Sequence, residues 1–196
     1  MSRLGKSRAI LLVGLLVLVP VLLYHRILSQ ATREKLDRTQ EGLFLLLTLR
    51  PAGLLFFLGL IVYLLNPSAM AWSAVALPGK VRALGVVLGM AGGLLLIWTL
   101  HTLGANLTDT VVTRKAHMLV MHGPYLWVRH PLYDSVALLV LAVSGITANG
   151  FFLFVGAVIV GLIVIRTRKE EEILLARFGE HYRAYMLRTG RFLPRL

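Results

Sequence analysis

Apolar residues run along this chain in blocks too long for the core of a soluble domain and too continuous for an amphipathic surface helix. A bilayer core about 30 Å thick takes roughly 20 helical residues to cross. The first block runs from Ala9 to Tyr24, with Arg3, Lys6 and Arg8 before it and His25 and Arg26 after it. No small-x-small cleavage site follows it cleanly, so it reads as an uncleaved helix rather than a signal peptide. The second runs from Leu43 to Leu65 and is interrupted by Arg50-Pro51, where the missing N–H of Pro51 predicts a kink or a restart. The third, Val81 to Leu100, carries Gly85, Gly89 and Gly93 at four-residue spacing, a small-residue face for tight helix packing within the chain or between copies in an oligomer. The last block, Ser135 to Ile165, is too long for one crossing. Its centre, residues 144–150, is a cluster of turn formers that predicts two helices in a tight hairpin. The pattern therefore predicts an all-α polytopic integral membrane protein of about five transmembrane helices. The last two form the hairpin, and a C-terminal amphipathic helix follows, striped by Leu174, Phe178 and Tyr182.

Composition removes the alternatives. The chain has 196 residues, 57% apolar and 15% charged, with mean hydropathy +0.77. Soluble domains carry about 25% charged residues, and disordered chains are poor in Leu, Val and Ile. There is no cysteine, hence no disulfide frame, thiolate zinc site or thiol nucleophile. The net charge of +12 comes from Lys and Arg that flank the apolar blocks. With no nucleic-acid motif beside them, their expected partner is membrane lipid and not nucleic acid. Five spans place the loop 25–42, the segment 101–134 and the tail from Arg166 on one face, where most Lys and Arg lie. The other face has Arg3, Lys6, Arg8, Lys80 and Arg82. The positive-inside rule makes the richer face cytoplasmic, although the basic N-terminus alone argues the reverse.

The segment between the third and fourth spans holds His101, His117, His122 and His130. None of these pairs has the one-turn spacing of helical metal ligands, so no metal is expected. Gly123-Pro124-Tyr125 marks a turn, and Pro131 biases His130 away from helix, so a shaped loop leads into the fourth span. Arg129 and His130 can line a polar pocket there. They can equally anchor lipid phosphate beside an interfacial belt of Tyr125, Trp127 and Tyr133. In the tail, Arg166 and Glu170 share a helix face, and Glu170-Glu171-Glu172 places an acidic triplet just beyond the last span.

Together, His117-x-Leu119-Val120-x-x-Gly123-Pro124-Tyr125-x-x-Val128-Arg129-His130-Pro131-x-Tyr133 and Arg166-x-x-x-Glu170-Glu171-x-x-Leu174-x-x-x-Phe178-Gly179-x-x-Tyr182 resemble the isoprenylcysteine carboxyl methyltransferase family and its prokaryotic relatives. The likeness covers roughly residues 100–195. It implies a membrane methyltransferase that uses S-adenosylmethionine in a cytosolic pocket closed by the C-terminal helix and tail. By the same resemblance His117, Met118, Leu119 and Val120, then Tyr125, His130, Pro131, Leu132, Tyr133 and Glu170, contact the cofactor. Arg166 would be the catalytic and substrate-holding arginine, with Arg129 also on the substrate side. The acceptor implied is a lipophilic or small molecule bearing a carboxylate or thiol, or a lipid. Residues 1–100 then form an N-terminal three-helix membrane region and 101–196 the methyltransferase-like region.

Two positions depart from the family pattern. Asp134-Ser135 follows Tyr133 where a glycine is usual, and Thr189-Gly190 stands where Val-Pro is common. Two other functions compete: an NADPH-dependent reductase of the sterol-reductase type, which shares an R-H-P-x-Y element, and a non-catalytic membrane protein that retains the fold.

Overall fold

The computed structural model describes residues 3–30, 43–104 and 119–195. Six helices follow in order: α1 (Arg3–Gln30), α2 (Leu43–Leu65), α3 (Gly79–Leu103), α4 (Pro131–Thr147), α5 (Gly150–Phe178) and α6 (Glu180–Arg188). Short 3-10 turns span Pro67–Ser73 and Gly123–Leu126. α1, α2, α3 and α5 are long and apolar enough to cross a membrane, and α4 is a shorter apolar helix of 17 residues. All-α polytopic architecture thus holds, with four described helices of spanning length and one shorter apolar helix.

The elements depart from the expected boundaries for physical reasons. α2 runs unbroken through Pro51 rather than restarting there. An apolar helix among other helices tolerates the one backbone bond that proline removes. α5 continues past the apolar block through the basic and acidic residues to Phe178. The expected amphipathic stripe is therefore divided: Leu174 and Phe178 end α5, Gly179 turns the chain at φ 54°, and Tyr182 lies on α6.

The α4–α5 hairpin turns in two residues. Ala148 takes left-handed backbone at φ 49°, and the Asn149 side chain caps α5 by accepting from the Phe151 N–H at 3.0 Å. The same amide donates to the Met70 carbonyl at 3.0 Å and accepts from Ser73 Oγ at 2.8 Å. Asn149 thus ties the hairpin to the 3-10 turn after α2.

α3 lies along α4. A Cβ on Gly85 would come within 3.0 Å of the Ile146 backbone nitrogen, and one on Gly89 within 3.3 Å of Ala142 Cβ. Gly93 instead faces Leu18 of α1. All three glycines thus have neighbours within the chain. The core beneath gathers Leu11, Leu60, Tyr63, Met70, Ala142, Ile146 and Phe152, with Phe152 fully buried and edge-on to Phe56 and Tyr63. Outward positions such as Leu16, Leu94 and Phe154 are exposed and apolar, as a lipid-facing surface requires.

Candidate functional site

The start of α4, the end of α5, and α6 with its tail meet at one end of the bundle. Ile159, Ile163, Thr167 and Glu171 form a buried one-turn stripe along α5, so the packing that seats the isoleucines also carries Glu171 inward. Glu171 is 5% exposed. A buried carboxylate persists only if paired and hydrogen-bonded, and this one is. Arg129 Nε donates to Oε1 at 2.8 Å, His130 Nε2 lies 3.2 Å from the same oxygen, and Arg191 donates to Oε2. Because a carboxylate only accepts, the His130 proton sits on Nε2.

Arg129 is consumed by this cluster. Its Nη1 donates to the carbonyls of Met186, at 3.2 Å, and Thr189. Residues 127–130 and 189–191 also pair as backbone: Gly190 N donates to Trp127 O at 3.2 Å, Arg129 N to Gly190 O at 2.9 Å, and His130 N to Arg191 O at 3.2 Å. The tail is thereby laid across the loop that leads into α4. Gly190, one of the two departures from the family pattern, has a steric reason, since a Cβ there would collide with the Leu193 carbonyl. Its partner Thr189 is buried and donates from Oγ1 to Tyr185 O at 2.8 Å. Ser135, the other departure, is fully buried and closes back on Leu132 O at 2.6 Å.

Glu170 points elsewhere. It accepts from the Tyr133 hydroxyl at 2.9 Å, and the Tyr133 ring stacks on His130 at a centroid distance of 5.6 Å. The charges of Glu170 and Arg166 both act on that phenol, with Tyr125 beside it. Tyr185 donates to the Tyr125 carbonyl at 2.7 Å. Burial pushes the Tyr185 phenol up to about 12, and raises those of Tyr125 and Tyr182 as well, with Glu170 adding to the first and Glu171 to the second. These rings stay neutral donors and cannot act as bases. Among the described residues, the Tyr182 hydroxyl is buried with no hydrogen-bond partner, an orphaned donor beside the two glutamates.

The residues predicted from sequence fall into three groups. Tyr125, Tyr133, Arg166 and Glu170 form one electrostatic neighbourhood, with His130 stacked behind it. Pro131 and Leu132 open α4 at its edge, and Leu119 and Val120 lie half-buried in the segment before the Gly123–Leu126 turn. His117 and Met118 lie outside the described residues. Sequence reasoning placed Glu171 and Tyr182 in the motif without a role at the site, and missed Tyr185 and Arg191. The buried α5 stripe was the available signal for Glu171.

A profile of the isoprenylcysteine carboxyl methyltransferase family matches residues 83–176. Among curated proteins, the methanethiol S-methyltransferase of Mycobacterium tuberculosis is 33% identical over 85 residues, covering 43% of this chain and 32% of that protein. The protein-S-isoprenylcysteine O-methyltransferase of Tribolium castaneum is 28% identical over 118 residues, 57% of this chain and 41% of that protein. The chain therefore matches well under half the length of either. The eukaryotic intramembrane Ras methyltransferase, isoprenylcysteine carboxyl methyltransferase, shares the fold with a TM-score of 0.50 at 24% identity, over 76% of this chain and 51% of that one. Residues 83–176 are thus similar to the isoprenylcysteine carboxyl methyltransferase family, and the chain shares the fold of that family's eukaryotic structure.

Proposed function

We propose that the protein is an integral membrane methyltransferase that binds S-adenosylmethionine on its cytoplasmic face and methylates a small or lipophilic thiol or carboxylate. The observation that carries this reading is the division of labour between adjacent glutamates. Glu171 is neutralised inside the Arg129–His130–Arg191 clamp, while Glu170 is presented beside Tyr133, Tyr125 and Arg166. S-adenosylmethionine supplies an activated methyl on a sulfonium and carries both an amine and a carboxylate, so its site needs both charge signs and neutral donors. These side chains fit that need, and the orphaned Tyr182 hydroxyl offers one more donor.

In this reading Glu170 holds a cationic or hydroxyl group of the cofactor, with Leu119, Val120, Tyr125, Pro131 and Leu132 around it and His117 and Met118 contributing from outside the described residues. His130 acts as a positioning residue: pinned by Glu171, it fixes the Tyr133 ring, which orients Glu170. Arg129, first expected on the substrate side, is assigned to the clamp. Arg166 holds an anionic acceptor in line, where positioning supplies much of the rate. The buried phenols provide no base, and a thiolate or carboxylate acceptor needs none. Residues 101–196 carry the chemistry, with α3 as scaffold.

Both curated relatives are named as methyltransferases, one acting on methanethiol and one on isoprenylcysteine, which favours this reading over a reductase. The test is transfer of label from S-adenosylmethionine by purified protein in a bilayer, offered an alkyl thiol or a prenylated cysteine. A labelled thioether or methyl ester is expected. Consumption of NADPH by the same protein, without methyl transfer, would overturn the assignment.

A further inference from the structure

At the end of the bundle away from this site, α1 and α3 contribute cations beside a buried phenol of α2, with no described carboxylate among them. Ser7 and Arg8 come from α1, Tyr63 from α2 and Arg82 from α3. Tyr63 is 2% exposed, and the charges of Arg82 and Arg8 both reach its phenol. Ser7 lies beside it but donates to the Ile146 carbonyl at 3.0 Å. Among the described residues, the Tyr63 hydroxyl and Arg82 Nε are buried without a hydrogen-bond partner. The described carboxylates, Asp134, Glu170, Glu171, Glu172 and Glu180, all belong to the opposite end of the helices.

The like charges of Arg8 and Arg82 both act on the one phenol and repel each other, and each buried donor without an acceptor carries an uncompensated desolvation penalty. A single multi-oxygen anion removes all of these at once. The planar guanidinium fork matches phosphate oxygens, and the phenol supplies a further donor. We propose that Arg8, Arg82 and Tyr63 bind a phosphate group. The neighbouring helix turns present Leu4, Leu12, Val81 and Leu84 as exposed apolar residues, so the phosphate arrives on a membrane lipid. The proposal is independent of the methyltransferase assignment.

The experiment uses the full chain in a neutral, phosphate-free detergent, followed by native mass and by unfolding temperature. It is titrated with dioleoyl phosphatidylglycerol, with dioleoyl glycerol, and with inorganic phosphate. Phosphatidylglycerol should give a one-to-one adduct and a saturating stabilisation that dioleoyl glycerol does not. Equal stabilisation by inorganic phosphate supports the phosphate site and assigns it to the free ion. Arg82→Gln and Tyr63→Phe should each weaken binding roughly tenfold. Tyr63→Phe removes only a hydroxyl and serves where Arg82→Gln folds poorly. Lys80→Gln, at the same end, should change little. Wild-type affinity in both pocket variants, equal binding of dioleoyl glycerol, or an equal loss in Lys80→Gln would overturn the site.

Discussion

Glu171 is the residue on which the C-terminal closure turns. Two arginines and a histidine converge on it; His130 is buried with it, Arg129 is nearly so at 9% exposed, and Arg191 is more open. Removing one partner of such a buried cluster leaves the others uncompensated and costs about 3–5 kcal/mol. Glu171→Gln is expected to lower stability by that order and to release the tail, seen as earlier proteolysis after Phe178. Glu172→Gln is expected to be nearly silent, because Glu172 is exposed and pairs with Lys169 at 3.5 Å, a contact in the range of tenths of a kcal/mol. Arg166→Lys should lower turnover while leaving cofactor affinity nearly unchanged, since the charge stays and the planar fork is lost. Wild-type turnover in that variant would make Arg166 a lipid anchor instead. The Arg166–Glu170 relation was legible because it is local to one helix. The partners of Glu171 were not, because Arg129 and His130 lie about 40 residues earlier and Arg191 reaches it only after the chain turns at Gly179.

At the scale of elements, small residues set the distances that bring the site together. Gly85 faces backbone atoms of α4, which cannot swing aside as a side chain can. Gly85→Ala is expected to push α3 and α4 apart and to destabilise by roughly 1–3 kcal/mol, more than the helix-propensity gain returns. Gly89→Ala meets only Ala142 Cβ and should be milder. A thermal-unfolding comparison of the two variants checks the order. Gly190→Ala should detach the strap from residues 127–130 without altering the helical core, read as faster amide exchange at Arg129 and His130. The hairpin was visible in sequence as a cluster of turn formers at 144–150, yet the structure concentrates the turn in Ala148 and Asn149. Asn149 decides it by joining the α5 cap to Met70 and Ser73, contacts with a segment more than 70 residues earlier that no local pattern encodes.

On the scale of the whole molecule, the two ends of the bundle differ in charge chemistry. One gathers all described carboxylates with interleaved arginines, and the other carries Arg8, Lys80 and Arg82 with no described carboxylate. The apolar blocks made the spans legible because a bilayer demands length and hydrophobicity, and both are local sums. Which end faces the cytoplasm rests on basic-residue asymmetry. In this cysteine-free chain, Glu180→Cys should react with an impermeant reagent only after the membrane is opened, and Lys80→Cys should react in intact cells. The reverse pattern would invert the orientation.

The most direct measurement is calorimetric titration of the purified protein with S-adenosylhomocysteine and, separately, with NADPH. The account predicts one-to-one binding of the nucleoside thioether and no heat from NADPH. Glu170→Gln should weaken that binding by about 1.5–3 kcal/mol, ten- to a hundredfold, by loss of a charge-assisted contact, with Glu172→Gln unchanged. A folded wild-type protein that binds NADPH and not S-adenosylhomocysteine, or equal losses at Glu170 and Glu172, would contradict it.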